Sequence, residues 1–239
     1  VAIALLSLVL GIATPASAAE AETGSTEEAS AWSFLEKDNP LTRGRILFDA
    51  RLRYEFASQG GLSNANAATG RIRVGYQTDW WHGLALLVEA EATGGINQDH
   101  NYRIPGLPDQ PMKVAVADPN NAELNRANLQ YRNVDWGVKG NLYRQRIILG
   151  NSRWVGNIGW RQNEQTFDGL RVQNTSFGDL KIDLTYIAQI NRIFGDDSPV
   201  GRWEGDTYLV NVSHPTPVGT LTGFAYNVDV DNAGGVFSS

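Results

Sequence analysis

The chain has 239 residues, of which 19% are charged and none is cysteine, with a formal net charge of −6. The missing cysteines exclude a disulfide scaffold and thiolate chemistry. A mean hydropathy of −0.29 excludes a bundle of membrane helices, and a pI near 5.1 gives nucleic-acid binding no support. The basic residues are 16 Arg against 4 Lys, and Arg is the side chain suited to bidentate contact with carboxylate and phosphate.

The first segment is an apolar run, Val1 to Ala13, followed by Thr14-Pro15 and the small-x-small triplet Ala16-Ser17-Ala18. It is too short to cross a bilayer as a helix and has the length of a secretory h-region, so residues 1–18 are expected to be a cleaved signal peptide. Residues 19–43 follow, with six acids and one Lys between Glu20 and Asp38. Their composition predicts a flexible periplasmic lead-in.

From residue 44 to residue 239 the pattern changes to a period of two. Nine strands are predicted, at approximately 45–57, 69–80, 83–93, 122–133, 136–149, 164–174, 179–191, 205–213 and 219–230. The first sets Ile46, Phe48, Ala50, Leu52, Tyr54 and Phe56 on one face and Asp49, Arg51, Arg53 and Glu55 on the other. The second opposes Ile72, Val74, Tyr76 and Trp80 to Arg71, Arg73, Gln77 and Asp79, and the third opposes Leu84, Leu86 and Val88 to Glu89 and Glu91. The fourth sets Ala127, Leu129 and Tyr131 against Arg126, Asn128, Gln130 and Arg132. The fifth is irregular: Val138, Gly140 and Leu142 share a parity with Arg144 and Arg146. Either a bulge turns those two arginines inward or they sit at an outer rim. The seventh sets Leu180, Ile182, Leu184 and Tyr186 against Lys181 and Asp183, and the ninth sets Phe224, Tyr226 and Val228 against Asn227 and Asp229.

Connectors around 81–82, 134–135, 175–178 and 214–218 are short, while those around 58–68, 94–121, 150–163 and 192–204 are long and rich in Gly, Pro, Asn and Asp. Short turns alternating with long loops, and dyad strands with aromatics at their ends, are the pattern of an outer-membrane barrel. The expected fold is all-β, an antiparallel up-and-down transmembrane barrel. Nine strands cannot close without bare edges and bacterial barrels have even strand numbers. The chain is therefore read as part of a larger barrel. The alternative is a secreted β-sandwich that binds glycans and transports nothing.

On the barrel reading, Arg51, Arg53, Arg71, Arg73, Arg126, Arg132 and, less regularly, Arg171 face the lumen. Basic rings in a pore favour anions. The acids Glu55, Glu89, Glu91 and Asp183 share that face, so the same arginines can serve as rungs of cross-strand ladders, with Glu89 and Glu91 opposite Arg71 and Arg73. Trp154, Trp160, Arg161, Gln162 and Asn163 in the loop 150–163 are candidates for an inward-folded constriction, and their types suit sugar recognition. Asp196-Asp197 and Asp229 with Asp231 are loop acids of a kind that can hold Ca²⁺.

An enzyme is not expected. The three histidines, His82, His100 and His214, are scattered without metal-ligand spacing. There is no Gly-x-Ser-x-Gly elbow and no phosphate-cradling glycine loop, and neither cofactor nor metal is implied. The partners implied are outer-membrane lipid and lipopolysaccharide of a Gram-negative envelope, and polar or anionic solutes.

Three short motifs are more specific than the periodicity: Arg144-Gln145-Arg146, Trp160-Arg161-Gln162-Asn163 and Thr166-Phe167-Asp168. Together with the strand Phe48 to Glu55 and with Val116-Ala117-Asp118-Pro119 ahead of Glu123-Leu124-Asn125, they resemble the alginate-export family of outer-membrane porins. The resemblance runs from residue 44 to about 229. It implies roughly half of an 18-stranded barrel whose Arg-rich lumen passes acidic polysaccharide or other polar solutes. The acids among these arginines depart from a lumen dedicated to polyuronates.

Overall fold

The computed structural model of the protein describes residues 2–10, 39–96, 101–107 and 110–233. The cleavage site expected after Ala18, nearly all of the acidic segment 19–43, His100 and the last six residues lie outside the described residues.

The strands are β1 (Ala2–Leu10), β2 (Arg45–Ser58), β3 (Ala65–Gln77), β4 (Leu84–Gly95), β5 (Asn121–Asn133), β6 (Val138–Gln145), β7 (Thr166–Phe177), β8 (Leu180–Asn191), β9 (Arg202–Thr216) and β10 (Gly219–Asn227). They form one antiparallel sheet in which every strand pairs with its chain neighbour. β1 and β10 are its edges, so among the described residues the sheet is open. Four tight connections, 78–83, 134–137, 178–179 and 217–218, lie at one end, and the longer ones, 59–64, 96–120, 146–165 and 192–201, at the other.

The nine strands expected after residue 44 are all present, and the tenth is β1, which lies within the run expected to be a leader. Ala2 pairs with Ser58 and Leu10 with Ala50, so this strand satisfies an edge of β2 that would otherwise leave its N–H and C=O groups bare. Two boundaries moved by four residues, the largest shifts. β3 starts at Ala65 because the backbone from Ala65 onward is already paired with β2, beginning Ala65 to Ala57. The fifth predicted strand stops at Gln145, not residue 149, because Ile147 and Leu149 turn away to pack beneath the loop.

The burial pattern is the reverse of that in a soluble sheet. Ile46, Leu52, Ile72, Val74, Leu86, Leu129, Leu142, Leu170, Leu184 and Tyr208 are exposed, whereas Arg53, Glu55, Arg73, Glu89, Glu91 and Asp183 are buried. Alternation fixes this: with period two, whatever covers the odd positions of β2 leaves its even positions bare. The long loops supply the cover. Tyr102, Ile104, Val114 and Val116 of the 96–120 loop pack on Ala57, Ala65 and Ala67 at the ends of β2 and β3. Ile147, Leu149 and Val155 of the 146–165 loop pack on Phe167, Ile187 and Leu209 of β7, β8 and β9.

Candidate functional site

The 146–165 loop leaves β6, seats its apolar part against β7–β9, and crosses to the charged face of β2 and β3. Its far segment carries main-chain carbonyls that meet the arginines of those strands. Arg51 donates to Gly159 O at 3.1 Å, to Arg161 O, and through Nε to Gln162 Oε1 at 2.8 Å. Arg53 donates to Trp160 O at 3.2 Å and Arg71 to Gln162 O at 3.4 Å. Five donors in a fixed fork let one guanidinium serve several carbonyls at once, which a Lys ammonium could not do with the same geometry.

Gln162 is the hub of this contact. Its amide Nε2 donates to Thr69 O at 3.0 Å and to Thr69 Oγ1 at 2.9 Å, while its backbone N–H donates to Asp118 Oδ1 at 3.1 Å. Asp118, from the 96–120 loop, also accepts from Arg53 Nη1 at 3.2 Å. Two loops far apart in sequence are thereby tied to each other and to the wall. Residues 159–162 of the 150–163 region, expected to fold inward, lie against the charged, buried face of β2 and β3.

Glu164 is the second hub. It accepts from Asn125 Nδ2 at 2.7 Å and from Asn157 Nδ2 at 2.8 Å, and Arg146 and Arg73 converge on it, the latter at 3.4 Å. Burial pushes the Glu164 carboxyl up, but the Arg73 and Arg146 guanidinia outweigh it and hold the group below the usual carboxylate range. Asn125 reaches Glu164 because it is the extra residue of a bulge: Glu89 pairs with Arg126 and Ala90 with Leu124, so Asn125 and Arg126 both point inward.

The predicted lumen residues sort into three groups. Arg51, Arg53, Arg71 and Arg73 share the buried face, as the alternation implies, and are covered by the loop; all but Arg51 are matched by acids. Arg53 pairs with Glu55 and Asp118, Arg71 with Asp49, and Arg73 with Glu91. The ladder is also not the one drawn from sequence: Glu91 does meet Arg73, but Glu89 takes Arg126 at 2.7 Å and Arg146 at 3.3 Å instead of Arg71. Arg171 stands apart on β7, paired with Asp183 at 2.6 Å. Arg132 lies at the short-turn end, its guanidinium 3.9 Å over the Trp80 ring.

Arg144 and Arg146 both face inward. The pairing of β6 with β5 and β7 runs without a register shift, so no inserted residue turns them. The turn is made by Tyr143, which has φ 83°. One left-handed residue exchanges the faces of the residues after it: Tyr143 is exposed, whereas Arg144 and Gln145 are buried. Arg144 then grips Asp168 through two bonds of 2.8 Å.

No family model and no curated protein matches the chain.

Of the constriction candidates, Gln162 and Arg161 are seated in the network and Trp154 and Trp160 are exposed. Asn163 is fully buried with neither amide atom paired. Arg161 Nη1 donates to Glu55 at 3.0 Å. Sequence reasoning gave no site role to Asp49, Asp118, Asn125, Glu164 or Asp168, although all but Glu164 lie on a strand face or in a motif it noted. Asp196 is held by Arg202 at 2.8 Å, and among the described residues no group of three or more His, Asp or Glu is placed to hold a metal ion.

Proposed function

We propose that this chain forms part of the wall of an outer-membrane β-barrel channel that passively passes polar, anionic solutes such as acidic polysaccharide. One observation carries the reading: a continuous apolar face is exposed across β2–β9 while the opposite, ionic face is buried. In water such a face would be covered; in lipid it is the face a barrel presents. The seven strands β2–β5 and β7–β9 are 12–15 residues long, more than the ~9–11 needed to span tilted. A sandwich would need a second sheet against the apolar face, and among the described residues there is one sheet.

The constriction reading draws support from the 146–165 loop, which reaches from β7–β9 to β2 and β3 along the inner face. All three motifs behind the resemblance to alginate-export porins contribute to the contacts on this face: Arg144 pairs with Asp168, Arg146 with Glu164, and Gln162 with Arg51.

The deciding experiment is on the full-length gene product, purified from outer membranes and recorded in planar bilayers in KCl with and without an acidic oligouronate. Discrete conductance steps that the oligouronate interrupts are expected. Pure, folded protein without conductance would overturn the proposal.

A further inference from the structure

The charge of the inner network is already matched within the protein. Among the described residues every arginine of that network except Arg51 has a carboxylate partner, and Arg51 is spent on Gln162 and two main-chain carbonyls. A guanidinium already paired to a carboxylate has little field left for a passing anion. Recognition at the loop must then rest on something other than a bare row of cations.

Trp160 is the group in position to supply it. Its neighbours Gln162, Asn163 and Glu164 are 0–1% exposed, while Trp160 itself keeps 55% of its surface open. The indole is held in place: the Arg161 guanidinium lies 4.2 Å from the ring centroid and that of Arg53 lies 5.5 Å away. Because Arg53 belongs to the inner face of β2, a ring this close to it also lies on the inner side of the sheet. The Trp160 carbonyl meanwhile accepts from Arg53, so the main chain that carries the ring is tied to the wall.

We infer that Trp160 is a stacking platform for the pyranose rings of a saccharide moving past the constriction loop, and that it determines selectivity by ring shape instead of by charge. An indole face is electron-rich and flat. The axial C–H face of a pyranose is apolar and weakly positive, so the two surfaces match, while the hydroxyls at the ring edge remain free for water. A guanidinium on one side of the indole fixes its orientation by the cation–π attraction and leaves the rest of the ring open to a visitor. Stacking of this kind tolerates both neutral and acidic sugars, because uronic and neutral pyranoses share the same C–H face.

This inference rests on the channel reading, and the test separates the two. Full-length protein in planar bilayers is exposed to a neutral maltohexaose and, separately, to an acidic hexauronate of the same length. Both are expected to interrupt the current with residence times of the same order. Trp160→Leu should shorten those residence times by about tenfold, the loss of one aromatic stacking contact, while Trp160→Phe should keep them within about threefold of the parent. Block by the hexauronate alone, or Leu and Phe variants that behave alike, would overturn the platform while leaving the channel intact. A parent protein that never conducts would instead overturn the channel reading itself.

Discussion

Gln162 shows how much of the 146–165 loop depends on single side chains. Its amide makes two neutral hydrogen bonds to Thr69 and accepts a third from the charged Arg51. At roughly 0.5–1.5 kcal/mol for each neutral bond and about 1.5–3 for the charged one, Gln162→Ala should loosen the loop by a few kcal/mol. The expected outcome is faster proteolysis within 146–165 and a larger single-channel conductance, and an unchanged digestion rate would show that the apolar seat of the loop suffices. Glu164 predicts a pH response. Its carboxyl is depressed in the folded chain by Arg73 and Arg146 despite burial, so its contribution is complete above the unfolded value of about 4.3 and is lost as pH falls through the lower, folded value. Conductance should rise below about pH 4, and Glu164→Gln should remove that acid limb. The sequence marks Gln162 as a candidate because its type and loop position suit recognition. It gives Asp118, Asn125 and Glu164 no site role, since their roles arise only when segments far apart in sequence fold onto one face, which periodicity does not encode.

Strand alternation was legible to within a few residues along β2–β5 and β8, because side-chain parity follows from backbone geometry alone. It failed at β6, where an even-numbered Arg144 sits inside while an even-numbered Leu142 sits outside. Glycine or asparagine at a left-handed position would have signalled the switch; tyrosine does not, since a non-glycine residue pays about 1–2 kcal/mol for that conformation. The return on it is the buried Arg144–Asp168 pair, whose loss by removal of one partner costs about 3–5 kcal/mol. Tyr143→Gly should therefore keep the switch and the pair, whereas Tyr143→Val, with a β-branched side chain, should lower the melting temperature and free Arg144. Equal melting of the two variants would show that the left-handed residue does not set the facing. The neighbouring strand tolerates no compensation: a Cβ at Gly169 would collide with the Tyr186 carbonyl oxygen. Gly169→Ala should consequently disrupt pairing of β7 with β8 even though alanine is the smallest possible change.

An open sheet is tenable only while its edges are satisfied, and a lipid environment makes that condition strict, since unpaired backbone groups there cost several kcal/mol each. Here β2 is covered by β1 across nine register positions, Ala2 to Leu10, and β10 presents its far edge with Leu221 and Phe224 exposed. Two physical demands therefore meet at β2. The apolar run of β1 has the composition of an export leader, yet its backbone occupies the very edge that a closing strand of a barrel would need. Both cannot hold β2 at once, because each residue on that side has one set of ladder bonds to give. If residues 1–18 are removed on export, as the composition implies, β2 becomes the seam available to a closing strand, and the order of events is cleavage first and closure second. A full-length precursor in which Ala16 and Ala18 are replaced by bulky residues to block cleavage should then retain β1 on β2 and fail to close. The readout is gel mobility: the processed protein, as a closed barrel, should migrate faster unboiled than boiled in SDS, whereas the uncleaved precursor should migrate alike in both states. A precursor that shows the same heat-dependent shift as the processed form would mean that β1 yields its place to a closing strand without being cut.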